Sequence, residues 1–264
     1  MHLYLCKVIE WRENGGFNMP IIYLSPSTQE NNVFVNGGTE EYYSNLLADK
    51  MVPFLDASGI RYTRNTPEMT AASSISASNA GSYDLHLALH SNASPPGSYG
   101  ENRGPVLYHY PGSEKGKMAC TILADGLRAI YPVPNLVQVL PTTAIGEVRR
   151  VRAPSAFLEL AYHDNVDDAD WIKNNLDTIA RNLVLSLTEY FDIPFFQTEN
   201  IRAGVVDVSW GVLNVRARPD TTAPILHQAP DGLPLTILNG VNGWYLVDCD
   251  GYIGYVSQDF ITLT

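Results

Sequence analysis

Between Pro20 and about Ile193, short apolar runs alternate with segments whose apolar residues recur at helical spacing, and after Pro194 the helical stripes stop. Ile21-Ile22-Tyr23-Leu24 and the run around Leu85, Leu87, Ala88 and Leu89 are too short for helices and read as buried strands. Between them, Tyr43, Leu46, Leu47, Met51, Phe54 and Leu55 form a helical stripe after the capping residue Thr39. Pro53 lies inside that stripe and predicts a kink or an early end, with Gly59 as the latest stop. Further strands are predicted at Ile60–Thr63, Val106–Tyr110 and Ala156–Ala161. Further helices are predicted at about Met69–Ala80, after Ser113, and in one piece from Asp167 to beyond Leu187. Pro132 and Pro134 are expected to open a long loop to about Arg152.

Strands spaced by helices form mainly parallel, twisted sheets covered on both faces. The fold class is therefore α/β over residues 20–193. The short strands after Pro194 are punctuated by Pro219-Asp220, Asn239-Gly240, Asn242-Gly243 and Asp250-Gly251, which are turn signals. That pattern over residues 204–264 predicts a small all-β barrel, reached by a linker over 194–203. Residues 1–19 are read as an N-terminal extension.

The 264 residues carry a formal net charge of −11. Such a surface repels phosphate backbones, so nucleic acid is not expected as a partner. No run approaches the ~20 apolar residues that cross a bilayer, so no membrane span is expected. Cys6, Cys120 and Cys249 are odd in number and far apart, which argues against a disulfide framework and a cysteine zinc site. The expectation is two buried thiols and one in the tail. Lys7, Glu10, Arg12 and Glu13 interrupt the first residues, so these do not read as a signal peptide. Met19 is read as the natural start, which native protein beginning at residue 1 would overturn.

Ligands in parallel sheets sit at the carboxyl ends of the strands, and His90 and Glu159 both fall near such ends. Glu159 stands in an apolar strand, where an unpaired charge is costly, and that cost points to function. Arg149, Arg150 and Arg152 precede the Glu159 strand, and a guanidinium matches a carboxylate in bidentate fashion.

Three segments of the first part are similar to the zinc-dependent N-acetylmuramoyl-L-alanine amidases, over residues 20 to 191. "TEEYYSN" resembles that family's ligand helix, with Glu41 four residues before Asn45. "DLHLALHSNAS" resembles its histidine strand, and "APSAFLELAYHDN" its catalytic-glutamate strand. The resemblance implies a Zn2+ cofactor held by Glu41 and His90, with Glu159 as base and peptidoglycan as substrate. It implies cleavage between N-acetylmuramic acid and the stem-peptide L-alanine; Arg149, Arg150 and Asn92 are read as contacts to that substrate, with an ordinary solvated basic cluster as the alternative for the arginines. Glu40 is the neighbour that would replace Glu41.

The family places another histidine after the first strand, where this chain reads Ser25-Pro26-Ser27-Thr28-Gln29-Glu30-Asn31-Asn32. The Ser-Pro-Ser start resembles a subgroup with a histidine beyond the glutamate strand, and His163 stands there. The third ligand is thus His163, or an oxygen of Gln29, Glu30 or Asn31. A catalytically degenerate wall-binding protein is the alternative that the missing histidine implies.

"GVLNVRARPDTTAPIL" and "NGWYLVDCDGYIGYVSQDFI" resemble a bacterial SH3-like domain, which implies an anchor on cell-wall peptides or glycans. Trp244, Tyr245 and Tyr255 are expected in its core, with Tyr252 and Trp210 as exposed aromatic contacts. Without a signal peptide, such a protein is expected to form in the cytoplasm and reach the wall on lysis or release, as an endolysin does.

Overall fold

A computed structural model describes residues 19–196 and 202–264, Asn242 excepted. The expected extension and its Cys6 lie outside the described residues. The chain divides into one compact unit, Met19–Asp192, and a second that includes Ile193–Thr264.

The first unit is built on a six-stranded sheet in the order β2-β1-β3-β6-β4-β5. Its strands are β1 (Ile21–Pro26), β2 (Arg61–Arg64), β3 (Leu85–Asn92), β4 (Val106–His109), β5 (Gln138–Pro141) and β6 (Ser155–Tyr162). All neighbours are parallel except β4 and β6, which run antiparallel. Strands β1, β3 and β6 are buried almost throughout, as parallel strands covered on both faces must be.

The helices are α1 (Glu40–Ser58), α2 (Ala71–Ala80), α3 (Glu114–Ile130), α4 (Gly146–Arg149), α5 (Val166–Asn174) and α6 (Leu176–Tyr190). Thr39 caps α1 by accepting from the Tyr42 amide, and Gly59 closes it in the left-handed region at φ 67°. Pro53 neither ends α1 nor shortens it. Glu40, Ser44, Leu47, Ala48, Met51 and Leu55 are buried, a stripe that faces the sheet and α6. Three elements lie within the expected loop of 132–152, a 3-10 turn at Pro134–Leu136, β5 and α4. Strand β5 is largely exposed and lacks an alternating pattern, and α4 has only four residues, too few to show a period. The expected last helix is broken at Asn175 into α5 and α6.

The second unit holds a seven-stranded antiparallel sheet in the order β13-β7-β10-β11-β12-β8-β9. Its strands are β7 (Arg202–Val206), β8 (Val212–Arg216), β9 (Ile225–Pro230), β10 (Pro234–Val241), β11 (Trp244–Cys249), β12 (Tyr252–Ser257) and β13 (Ile261–Leu263). Strand β7 begins inside the expected linker because its residues 202–205 pair with β10. The core gathers Val206, Leu213, Val215, Ala229, Ile237, Val247, Cys249 and Val256. Tyr255 is buried, whereas Trp244 and Tyr245 are half-buried. Trp210 is 88% exposed, and exposed Tyr252 stacks on His227 with centroids 4.4 Å apart. Cys120 and Cys249 are free and buried.

Candidate active site

Side chains on a strand alternate between faces, so His86, Ala88 and His90 share one face of β3. In the register, His90 stands opposite Glu159 of β6 and His86 opposite Ser155. Phe157 lies on the same face as Ala88, against Val148 of α4, and its ring stacks on His90 with centroids 4.3 Å apart.

His90 is held at both ring nitrogens. Its Nδ1 lies 2.8 Å from Glu40 Oε1 and 3.3 Å from the Gln29 amide. Its Nε2 lies 3.2 Å from Glu147 Oε2. Burial pulls the imidazole pKa down, but the hydrogen bonds it donates to Glu147 and Glu40 outweigh it and raise it to about 10. Burial pushes the Glu40 carboxyl up, and the hydrogen bond with His90 more than offsets this, so it sits below its ordinary range. Asn32 Nδ2 also donates to Glu40 Oε2 at 2.6 Å. Glu147 is likewise held low, because hydrogen bonds from His86 and His90 overcome the effect of burial.

Glu159 contrasts with both. The residue is half-buried, but its Oε2 is sealed from solvent and has no hydrogen-bond partner. Burial pushes its pKa up to about 7, against the opposing pull of His90. A carboxyl titrating near neutral pH beside an imidazole is suited to accept and return a proton.

The structure brings His90 and Glu159 together and places Glu40, rather than Glu41, against His90. Glu41 is partly buried, and its backbone carbonyl accepts from Asn45 Nδ2. The reason is helix phase, since Glu40 lies seven residues before Leu47 on the buried stripe. His163 belongs to the opposite face. Its Nδ1 lies 3.0 Å from the Ser91 hydroxyl, its ring packs on Phe34, and Ser91 alternates with His90 on β3. Glu30 and Asn31 are exposed, and among the three loop alternatives Gln29 is the one bonded to His90.

Arg149 and Arg150 do not join the site. Arg149 lines a groove of about 570 Å³ with Lys115, Arg152, Pro154 and Ser155, at the start of β6. The Arg150 carbonyl accepts from Asn79 at the end of α2. Four residue steps along β6, roughly 13 Å of strand, separate Ser155 from Glu159. Asn92 does lie at the carboxyl end of β3, where its Oδ1 accepts from the Ala93 amide.

A catalytic zinc takes about three protein ligands and keeps an open position. Among the described residues, no three His, Cys, Asp or Glu side chains form a group that could hold a metal ion. Glu40 Oε1 and His90 Nδ1 are two suitable donors that already converge, with the Gln29 amide beside them. Amide oxygen and nitrogen exchange places by a simple flip, so Gln29 can present an oxygen. Three carboxylates, Glu40, Glu147 and Glu159, surround one imidazole, a charge balance that favours a cation. Two strong donors and one neutral amide are therefore the groups that would hold a zinc ion here.

Residues 211–262 match the family model of the bacterial SH3 domain. No curated protein sequence matches the chain. Among solved structures, N-acetylmuramoyl-L-alanine amidase AmiC2 of Nostoc punctiforme is 12% identical with a TM-score of 0.57, over 66% of this chain and 97% of that one. The catalytic domain of CwlV, an N-acetylmuramoyl-L-alanine amidase from Bacillus (Paenibacillus) polymyxa var. colistinus, is 13% identical with a TM-score of 0.57, over 67% of this chain and 100% of that one. The CwlD amidase from Clostridioides difficile, solved with the GerS lipoprotein, is 12% identical with a TM-score of 0.56, over 65% and 98%. The chain thus shares the fold of these amidases over about two thirds of its length and carries a match to a bacterial SH3 domain near its C-terminus.

Proposed function

We propose that the first unit hydrolyses the amide between N-acetylmuramic acid and L-alanine in peptidoglycan, and that the second unit holds it on the wall. The observation that carries the reading is Glu159. An unpartnered carboxyl pushed up to about 7 stands one strand from an imidazole that is shared with a second carboxylate. Glu40 and His90 would hold the metal, with Gln29 completing the set. A zinc ion there would polarise the scissile carbonyl and lower the pKa of a water near it. Glu159 takes the proton from the attacking water and delivers it to the leaving amine of L-alanine. Phe157 covers one face of His90 and excludes solvent from it. Asn92, at the carboxyl end of β3, would donate its amide to the substrate. Trp210 and Tyr252 offer the exposed aromatic faces that a sugar or peptide packs against. Action on the wall after lysis or release belongs to the same proposal.

The test is digestion of purified sacculi with zinc supplied. Dinitrophenyl labelling is expected to reveal new amino-termini on L-alanine, with no new reducing sugar ends, and Glu159→Gln is expected to abolish them. New reducing ends would replace this reading with a glycosidase. Binding to sacculi without any cleavage would replace it with a wall-binding role.

A further inference from the structure

Glu147 is a buried carboxylate that the reaction above does not use. It comes from the four-residue helix α4 and is 5% exposed. A buried carboxylate costs several kcal/mol unless it is paired and hydrogen-bonded. No lysine or arginine partners it among the described residues. It is paired instead with two histidines and a hydroxyl.

Its two oxygens have separate partners. Oε1 accepts from the Ser25 hydroxyl at 2.6 Å and lies 3.1 Å from His86 Nε2. Oε2 lies 3.2 Å from His90 Nε2. The first oxygen is thereby anchored to β1 and β3, and the second is left for the site. The anchor is itself held. His86 Nδ1 lies 2.9 Å from the Ser78 hydroxyl of α2, and its ring stacks on Tyr23 with planes 11° apart. The Glu147 carbonyl accepts from the Ser155 hydroxyl at 2.8 Å, which fixes the residue against β6.

We propose that Glu147, anchored by His86 and Ser25, is the positioning residue that fixes the His90 ring for the hydrolysis proposed above. A carboxylate accepts and cannot donate, so the ring donates from Nε2 to Glu147, and this bond sets the ring plane that directs Nδ1 at Glu40 and Gln29. A carboxylate behind an imidazole also raises its basicity as a ligand, and loss of such a partner typically costs 10–100-fold in metal affinity or activity. A purely structural ion network would give Glu147 no need to divide its oxygens between scaffold and site.

The inference rests on the proposed amidase reading, and its test separates the two. Glu147→Gln and Ser25→Ala are compared with the parent in three ways. These are turnover of a soluble muramoyl-peptide, zinc affinity against a competing chelator, and the ¹⁵N signals of the His90 ring in metal-free protein. Glu147→Gln is expected to lower kcat and zinc affinity about 10–100-fold, with KM within about 2-fold. The His90 Nε2 signal is expected to move as an amide replaces its carboxylate acceptor, with the Nδ1 signal changing less. Ser25→Ala is expected to move the same readouts in the same direction, less far, and carries the test if the first variant does not fold. Unchanged ring signals and zinc affinity in a folded variant would overturn the inference, whether or not kcat falls. A parent chain that cleaves no muramoyl-peptide would remove the amidase reading alone, because ring signals and zinc affinity still decide the role of Glu147.

Discussion

Replacing Glu159 with glutamine removes the proposed base and, with it, a buried charge. The carboxyl has a pKa of about 7 in the folded chain, against an ordinary value of 4.5. Each unit of difference between folded and unfolded states corresponds to about 1.4 kcal/mol, so the ionised form costs the fold on the order of 3 kcal/mol above pH 7. The sign follows from proton uptake. Between about pH 4.5 and 7 the folded state binds more protons than the unfolded one, so stability from this group falls as pH rises. Below 4.5 the carboxyl is neutral in both states and the cost vanishes. Glutamine carries no charge, so Glu159→Gln is expected to gain about 2–3 kcal/mol on the parent between pH 4.5 and pH 8. The assay is urea unfolding with chelator present, followed by far-UV circular dichroism, since every α-helix among the described residues lies in the first unit. Shifts of groups that do not interact with Glu159 cancel in the difference. A gap between variant and parent that is the same at both pH values would refute the burial argument. In the same pH range, parent turnover is expected to rise with pH through about 7 as Glu159 ionises, and a flat profile would deny it the role of base.

Glu40→Gln is expected to weaken zinc binding at least 10-fold in a chelator competition, with Glu41→Gln close to the parent, and the reverse order would restore Glu41 as the ligand. His163→Ala is expected to keep zinc affinity and turnover within about 3-fold but to lose roughly 1–3 kcal/mol in urea unfolding, because the buried Ser91 hydroxyl and the Phe34 ring each lose a partner. Zinc loss in that variant would return His163 to the site. Gly254→Val places a Cβ 2.6 Å from Val215 Cγ1 and 2.8 Å from the Arg216 carbonyl, so the second unit is expected to unfold. Sacculus pelleting is then expected to fall while turnover of a soluble muramoyl-peptide persists, and undiminished pelleting would show that the wall is held elsewhere.

The sheet and its longer helices were legible because each carries a period. Leu85, Leu87 and Leu89 mark a buried strand, and Leu47, Met51 and Leu55 mark a helix face, whatever surrounds them. What escaped was short or depended on partners distant in sequence. Helix α4 has four residues and offers no period, and Glu147 touches His86 and His90 across 61 and 57 residues of chain. One signal for it was present. His86 and His90 fall on the same face of an otherwise apolar strand, and two buried imidazoles on one face call for an acceptor from another element. Glu40 was legible too, since the buried stripe extended back by seven residues from Leu47 reaches it and passes Glu41 by. The assignment to Glu41 followed a motif spacing, whereas the fold follows helix phase. The arginines fail for a related reason. Arg149 and Arg150 are near Glu159 in sequence, but β6 carries Glu159 away from them at about 3.3 Å per residue, so proximity along a strand is distance in space. His163 shows the converse: it stands four residues past Glu159, yet its ring is held by Ser91 on the other face. Motif and composition therefore singled out His90 and Glu159, and the direction of each side chain, fixed by helix phase and strand alternation, decided which residues meet them.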